Sequence, residues 1–235
     1  MSKTILITGA SKGIGLETCK RFFYEDNSVT NFILLARESD SFKELLQELS
    51  DNNPFNKNVK HYFIDLADRE LVQSVINNIN VEYNNIDILI NNAGFTKPES
   101  IQQIEFSDFE RTMEVNLYAP FTIVQKMLQA GNKFELIVNI ASTAGMNGRS
   151  GWLTYSASKA AMINMSEVMK AELSIYGTRV VCISPGRCAT DLRKTLAPDE
   201  DPTTIMQPSH VANVIAMLES DVGRFVDSQN LVVRL

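Results

Sequence analysis

Short apolar runs alternate with longer amphipathic segments along the whole chain. The runs are rich in Ile, Leu and Val and occupy residues 4–8, 31–36, 61–65, 86–90, 136–141, 180–184 and 230–235. Between them lie segments with helical periodicity, such as residues 39–50 and 69–80. Strands of this kind, alternating with helices, are typical of a parallel sheet that is covered on both faces. The pattern therefore predicts a Rossmann-type α/β/α fold with a doubly wound parallel sheet of about seven strands.

The composition indicates an ordinary globular protein. Of the 235 residues, 44% are hydrophobic and 21% are charged, and we expect residues 1–235 to form a single domain because no repeat or linker interrupts the alternation. A formal charge of −6 argues against general affinity for nucleic acid. No apolar run is long enough to cross a bilayer and no signal peptide precedes the first strand, so we expect no membrane partner and a cytoplasmic location.

Cysteine and histidine usage narrows the chemistry further. Cys19, Cys182 and Cys188 show no Cys-x-x-Cys spacing and are interpreted as reduced thiols. The two histidines, His61 and His210, lie far apart in sequence, which leaves little room for a zinc site or a histidine-based hydrolase. We therefore predict that the protein holds no metal.

A glycine-rich turn follows the first strand and opens a helix. The segment Gly9-Ala-Ser-Lys-Gly-Ile-Gly15 joins the two in the context that a dinucleotide-binding site requires. Gly9 permits a tight turn, Gly13 lets the backbone approach a pyrophosphate, and Gly15 allows the helix to pack closely on the strand. The N-terminus of the helix supplies N–H donors and a partial positive charge for the phosphates.

A second motif carries acid–base chemistry. Tyr155 and Lys159 are four residues apart in a segment compatible with a helix, which stacks their side chains on one face at roughly 5–6 Å between Cβ atoms. A neighbouring ammonium favours a phenolate and lowers a tyrosine pKa from its usual value of about 10. Ser142 ends the strand at 136–141 and can present its hydroxyl to the same substrate oxygen.

With these residues the chain resembles the short-chain dehydrogenase/reductase family over nearly its whole length. The motifs that carry the resemblance are Thr8-Gly-x-x-x-Gly-x-Gly15, Asp65, Asn91-Asn-Ala-Gly94, Asn116, Ser142, Tyr155, Lys159, and Pro185-Gly186 with Thr190. The resemblance implies that Asn116, Ser142, Tyr155 and Lys159 are catalytic, with Asn116 at a local break in a helix where it anchors a proton relay to the lysine. It also implies a set of cofactor-binding residues: Gly9, Ser11, Lys12, Gly13, Ile14, Gly15, Arg37, Asp65, Leu66, Asn92, Ala93, Gly94, Tyr155, Lys159, Pro185, Gly186 and Thr190.

Two cations near the predicted adenosine end indicate the cofactor. An acidic residue after the second strand would favour NAD(H), but Arg37 stands there and Lys12 lies within the glycine turn. Both charges suit a 2′-phosphate, so we expect NADP(H) to be preferred, with NAD(H) possible. The alternative is that both are solvated surface cations.

The loops that face the same edge of the sheet carry further cations. Arg149, Arg187 and Arg193 with Trp152 are candidate substrate contacts, and Lys97 and Lys194 lie in neighbouring loops. Cations gathered at one mouth of an acidic protein favour an anionic substrate. The alternatives are solvated loop residues or partners of the cofactor phosphates, and Trp152 is equally compatible with a core or oligomer contact.

The segment 185–193 resembles the reductase portions of some polysaccharide-precursor enzymes, which act on pentulose phosphates, so a sugar phosphate is the preferred anion. The main rival is a 3-oxoacyl thioester, although a chain that ends at the last strand departs from acyl-carrier-protein reductases, which continue in a glycine-rich tail. The polar segment 187–207 is expected to act as a mobile lid.

We thus expect an NADPH-dependent oxidoreductase that reduces the carbonyl of a small molecule to an alcohol, with Tyr155 as general acid. The resemblance implies a homodimer or homotetramer. An alternative from another class is a non-catalytic NADP(H)-binding sensor or scaffold, but such proteins typically lose the tyrosine or the lysine, and this chain keeps both.

Overall fold

The computed structural model describes residues 2–226 and 230–235, and the predictions that cover residues 1 and 227–229 lie outside it. Within these residues one sheet of seven parallel strands has the order β3-β2-β1-β4-β5-β6-β7. The strands are β1 (Lys3–Thr8), β2 (Val29–Ala36), β3 (Asn58–Phe63), β4 (Ile88–Asn91), β5 (Leu136–Ile140), β6 (Arg179–Pro185) and β7 (Asn230–Val233). The predicted doubly wound parallel sheet is confirmed.

Helices cover both faces of the sheet. They are α1 (Gly13–Glu25), α2 (Asp40–Asp51), α3 (Arg69–Glu82), α4 (Phe106–Met113), α5 (Ala119–Gln129), α6 (Leu153–Leu173), α7 (Asp191–Leu196) and α8 (Pro208–Met217). Successive residues of a strand point to opposite faces, so Ile5 and Ile7 join the core beneath α1, α2 and α8, whereas Leu6 joins the core beneath α3, α5 and α6. Both faces are therefore closed from water. None of the described helices combines the length and the apolar character that a bilayer crossing needs.

Most strand boundaries differ from the predicted ones by one to three residues, including those of β3, β4 and β7. β3 begins at Asn58 and ends at Phe63, not at 61–65, because its parallel register with β2 pairs Asn31 with Asn58 and Ala36 with Phe63. The alternating burial of this edge strand gives only a weak apolar run. Asp65 thus lies in the turn after β3. In addition, β4 starts at Ile88 rather than at 86, and β7 ends at Val233 rather than at 235.

Two segments that the periodicity describes poorly have defined structure. The helical stretch around Asn116 is interrupted by one π-helical turn at Glu114–Tyr118, which separates α4 from α5. The expected lid, 187–207, contains α7 and is joined at its ends by a hydrogen bond from Ala189 N to Met206 O of 2.8 Å. Its motion stays a prediction.

A small polar network crosses the core between the central strands and α6. Asn91 Nδ2 donates to Asn139 Oδ1 at 2.8 Å, and Asn139 Nδ2 donates to Ser166 Oγ at 2.9 Å. Asn139 and Ser166 are almost completely buried. Buried amides are tolerated only when they are hydrogen-bonded, so Asn139 is the residue that allows Asn91 to lie inside the sheet.

We expect Asn139→Ala to lower the free energy of unfolding by about 1–3 kcal/mol, because it leaves the buried amide of Asn91 without its acceptor. Urea denaturation at neutral pH measures the change. Asn77→Ala, on an exposed position of α3, is the matched control and should stay within about 0.5 kcal/mol of the unmodified protein. Equal stability of the two variants would contradict the role given to Asn139.

Candidate active site

The principal cavity opens at the carboxyl ends of the strands, where the sheet order reverses direction between β1 and β4. Open α/β sheets bind ligands in such a crevice. The cavity has a volume of about 210 Å³. It extends from the glycine turn to the β5–α6 loop and the segment after β6. The predicted site residues that line it are Gly9, Ser11, Lys12, Gly13, Ile14, Arg37, Asp65, Leu66, Asn92, Ala93, Gly94, Ser142, Arg149, Trp152, Tyr155, Lys159, Pro185, Gly186, Arg187, Thr190 and Arg193.

The glycine turn has the geometry that its sequence predicts. Gly9 and Gly13 have φ angles of 67° and 57°, in the left-handed region that favours glycine. A Cβ on Gly15 would lie 2.3 Å from Gly9 O and 2.4 Å from Asn92 Nδ2, so only glycine lets the helix pack this closely. Gly15 accordingly packs behind the cavity rather than lining it. The open backbone of this turn fits the pyrophosphate of a dinucleotide.

The segment after β4 is held against the end of β1. Asn92 Nδ2 donates to Thr8 O at 2.9 Å, and the backbone N–H groups of Asn92 and Ala93 both donate to Thr8 Oγ1 at 3.0 Å. These bonds tie the two central strands together just below the cavity. The segment 91–94 therefore stabilises this edge of the sheet.

At the adenosine end the cations have different partners. Lys12 Nζ is 2.7 Å from Asp191 Oδ2 across the cavity mouth. Arg37 lines the cavity and forms no ion pair with any of the described residues. Arg111, which sequence reasoning did not identify, also lines this end and donates to Asp65 Oδ2 at 2.6 Å. Asp65 is thus hydrogen-bonded to Arg111, whereas the positive charge of Arg37 acts on it without a direct bond and helps to lower its pKa.

Three catalytic candidates converge at the other end. Tyr155 lies in the first turn of α6 and is 6% exposed, and Lys159 follows one turn later and is 3% exposed. Lys159 Nζ donates to Ile140 O at 2.7 Å and lies 5.8 Å from the centre of the Tyr155 ring. Ser142 lies near the start of the β5–α6 loop. Later in this loop, a Cβ on Gly145 would lie 2.6 Å from the backbone of Lys159. This close packing holds the serine loop against the catalytic helix.

Burial is the largest cause of the pKa shifts of both Tyr155 and Lys159. It raises the pKa of Tyr155 to about 12, whereas a hydrogen bond with Ser142 and the positive charge of Arg193 act in the opposite direction. Burial lowers the pKa of Lys159 to about 8. The sequence predicts that Lys159 lowers the tyrosine pKa, but in the structure the effect of burial is the larger one. Tyr155 is consequently a protonated phenol at neutral pH and can donate a proton.

Asn116 lies behind the cavity, inside the π-helical turn. It is fully buried, its Oδ1 accepts from Phe95 N at 2.7 Å, and its Nδ2 donates to Phe95 O and Ser158 Oγ at 2.9 Å each. A Cβ on Gly94 would lie 3.8 Å from Asn116 Oδ1 and 4.0 Å from Lys159 Nζ. Asn116 therefore joins the segment after β4 to α6 next to the lysine, and its part in a proton relay stays a prediction.

The segment after β6 closes the cavity over the glycine turn. Thr190 caps α7 by accepting from Arg193 N at 3.1 Å. A Cβ on Gly13 would lie 3.2 Å from Thr190 Cγ2, so the threonine packs directly over the turn. Pro185 and Gly186 line the cavity beside it. Thr190, Pro185 and Gly186 therefore line the same cavity as the glycine turn and Tyr155.

Trp152 forms a wall of the cavity next to Tyr155. Its ring is 6.4 Å from the Tyr155 ring in an edge-to-face arrangement. The guanidinium carbons of Arg149 and Arg193 lie 5.1 Å and 5.5 Å from the indole. Arginine stacks readily on aromatic rings, so the tryptophan holds both cations beside the catalytic tyrosine.

Carboxylates already neutralise some of the cations that the sequence analysis grouped together. Glu200 accepts from Arg193 through both oxygens, at 2.5 Å from Nε and 2.7 Å from Nη2. Lys97 pairs with Asp108 at 2.6 Å, and neither Lys97 nor Lys194 lines the cavity. The expectation of one continuous cationic mouth is therefore wrong for these two lysines, because their side chains lie outside the cavity. Glu200 had no local sequence signal.

Metal ligands do not cluster at the site. In the described part of the chain, no group of three His, Cys, Asp or Glu side chains is arranged to hold a metal ion.

The fold and site identify the class of protein as an oxidoreductase that binds a dinucleotide at a Rossmann-type sheet. The chain belongs to the short chain dehydrogenase family, whose model matches residues 3–201. The protein is therefore a short-chain NADP-dependent oxidoreductase, and the non-catalytic alternative is set aside.

Individual relatives agree with this assignment. Over 237 residues the chain is 30% identical to the 3-oxoacyl-[acyl-carrier-protein] reductase FabG of Thermotoga maritima, with 97% of this chain and 94% of the relative covered. It is similar to the crystal structure of a short chain dehydrogenase from Salmonella enterica serovar Typhi, with a TM-score of 0.87, 26% identity and coverage of 99% and 95%. A short chain dehydrogenase of Shigella flexneri, complexed with NADP, has a TM-score of 0.85 and 27% identity over 98% of this chain and 95% of its own.

We expect Lys159→Met to stabilise the protein at pH 7 by up to about 3 kcal/mol, since each unit of pKa shift corresponds to about 1.36 kcal/mol. The folded-state pKa of about 8 lies below the ordinary 10.5. Below pH 8 the folded protein therefore bears a buried charge that the unfolded chain solvates. As the pH rises from 8 to 10.5 this disadvantage disappears, so the two proteins should converge in stability.

Urea denaturation at pH 7 and at pH 10 tests this expectation. Lys133→Met, at an exposed position, is the control and should show the same small difference at both pH values. A Lys159→Met protein that is less stable than the unmodified one at pH 7 would contradict the cost assigned to the buried ammonium.

Proposed function

We propose that the protein is an NADPH-dependent reductase that converts the carbonyl group of a small molecule to an alcohol. The observation that carries the proposal is the protonated Tyr155 phenol beside Ser142, in the same cavity as the glycine turn. NADPH, when bound, supplies a hydride to the carbonyl carbon. The reverse reaction, oxidation of the alcohol, uses the same groups.

Each residue has a defined part in this chemistry. Tyr155 donates its phenolic proton to the carbonyl oxygen, and Ser142 donates a hydrogen bond that polarises the same oxygen. Lys159 binds the nicotinamide ribose, and its positive charge stabilises the phenolate that the proton transfer leaves behind. Asn116 anchors a proton relay to Lys159 from the π-helical turn.

The charge at the adenosine end supports the cofactor assignment. Arg37 directly follows β2 and has no carboxylate partner among the described residues, so its guanidinium is available to the 2′-phosphate of NADP(H). Lys12 adds a second positive charge, although Asp191 partly neutralises it. The NADP complex of the Shigella relative supports the same cofactor, and NAD(H) is the weaker alternative.

For the substrate, two classes are supported by different observations. Arg149 and Arg187, which line the cavity near Tyr155, favour an anionic ketone such as a sugar phosphate. The Thermotoga relative supports a 3-oxoacyl thioester. We prefer the anionic small molecule because Arg149 and Arg187 lie in the cavity itself.

We also propose a cytoplasmic location and a homo-oligomeric state. The cysteines Cys19, Cys182 and Cys188 are free and buried, which suits a reducing cytoplasm. We infer a homodimer or homotetramer from the family resemblance, and sedimentation equilibrium would measure its size.

We expect Tyr155→Phe to lower kcat for carbonyl reduction by at least about 10²–10⁴-fold, because the variant lacks the proton donor. NADPH binding should be nearly unchanged, since the ring that packs against Trp152 is retained. Steady-state NADPH oxidation and a fluorescence titration measure the two quantities. Tyr176→Phe, at an exposed tyrosine, is the matched control. Retention of more than half of the activity in Tyr155→Phe would remove Tyr155 from the mechanism.

The unmodified protein should bind NADPH about ten- to a hundredfold more tightly than NADH, because a charge-assisted contact contributes roughly 1.5–3 kcal/mol. Arg37→Asp should shrink or reverse this preference, whereas Arg224→Asp, which makes the same charge change outside the cavity, should leave it intact. Dissociation constants for both cofactors test the prediction. Equal affinities in the unmodified protein would refute it.

A further inference from the structure

A second cavity, with a volume of about 190 Å³, adjoins the active-site cavity. We call it the side cavity. Thr143, Arg149, Gly186 and Arg187 line both cavities, so the two share a wall at the end where Tyr155 lies. A ligand with one group at Tyr155 and another in the side cavity would have to pass between these four shared residues.

Three arginines surround the side cavity: Arg149, Arg187 and Arg234. Among the described residues, Arg149 and Arg234 form no ion pair with an acidic side chain. Arg187 is 3.4 Å from Glu200 Oε1, but Glu200 makes its shorter bonds to Arg193, and the side chain of Arg187 is 56% exposed. No Asp or Glu side chain of the described residues lines the side cavity. Apart from the three arginines its lining residues are Thr143, Asn147, Gly186, Ile205 and Leu235, so the side chains that line it carry a net positive charge.

The sheet itself brings Arg234 to this place. β6 and β7 pair in parallel as far as Pro185 and Val233, and Gly186 N then donates to Val233 O at 2.8 Å. Arg234 consequently leaves the sheet at the same edge as the segment after β6. A Cβ on Gly186 would lie 2.9 Å from the Cβ of Arg234, so the absence of a side chain at Gly186 permits the approach. Backbone pairing up to Val233 therefore places the Cα and Cβ of Arg234 beside Gly186.

We propose that the side cavity binds the phosphate group of a small phosphorylated ketone whose carbonyl lies at Tyr155 and Ser142. The orientation of the carbonyl rests on the proposed function. Three guanidinium groups match the charge and the several oxygens of a phosphate dianion better than they match a single carboxylate. Thr143 and Asn147 add neutral donors to the same wall. The cavity would thus select the substrate by its anionic end, away from the reacting carbon.

Matched substrates test the proposal by kinetics. We would measure kcat/KM with NADPH for ribulose 5-phosphate and ribulose, and for dihydroxyacetone phosphate and dihydroxyacetone. The unmodified protein should prefer the phosphorylated member of at least one pair. Arg234→Gln should lower that preference by about 10–100-fold, the usual effect of losing a charge-assisted hydrogen bond. Arg234→Lys should retain part of it. Arg224→Gln removes an arginine outside both cavities and should keep the original ratio.

Binding of phosphate alone separates the side cavity from the proposed function. The protein is saturated with NADP⁺, so that the 2′-phosphate position is filled, and is titrated with inorganic phosphate in a calorimeter. Phosphate should bind to the unmodified protein and to Arg224→Gln, and at least about tenfold more weakly to Arg234→Gln. If phosphate binding depends on Arg234 but no ketone is reduced, the side cavity is supported and the proposed function fails.

Two results would overturn the proposal. One is that Arg234→Gln changes neither the preference for the phosphorylated ketone over its unphosphorylated analogue nor the affinity for inorganic phosphate. The other is an Arg234-dependent preference for acetoacetyl-CoA over its N-acetylcysteamine analogue without any preference among the ketose pairs. That second result would assign the phosphate to the carrier of a thioester instead of to a small ketone.

Discussion

The parallel pairing of β1 with β2 on one side and β4 on the other is the constraint on which the site depends. Parallel strands need crossover connections, so helices must cover both faces and every strand must end at the same edge. Gly9, Asn92, Ser142 and Gly186 follow four different strands and meet there for this reason. Antiparallel pairing of any one of these strands would carry its loop to the opposite edge and divide the site.

At the Tyr155 end of the cavity, polar groups that prefer water are held in buried positions. Lys159 is an ammonium in a buried position with one carbonyl acceptor, and Tyr155 is a phenol that burial keeps protonated. The π-helical turn around Asn116 departs from regular helix at the same place. Such features persist because surrounding elements hold them, and they are common at sites where chemistry requires a group in an unfavourable environment.

Charge is distributed differently at the two ends of the cavity. At the adenosine end Arg111 satisfies Asp65, which leaves Arg37 open. At the substrate end Glu200 satisfies Arg193, so that the cations without an acidic partner lie further out, towards the side cavity. Both arrangements pair one cation internally and leave another for a ligand. An acidic protein can therefore present localised positive sites without a generally basic surface.

Structural features that depend on residues close together in the chain were predictable from the sequence. Strand and helix alternation, the glycine turn and the four-residue spacing of Tyr155 and Lys159 depend on residues that are neighbours in the chain. The register of β3, the pairing of Arg111 with Asp65 and the approach of Arg234 to Gly186 were decided by the tertiary structure alone. Each depends on how distant segments align across the sheet or fold back over it, and hydrophobic periodicity contains no information on that alignment.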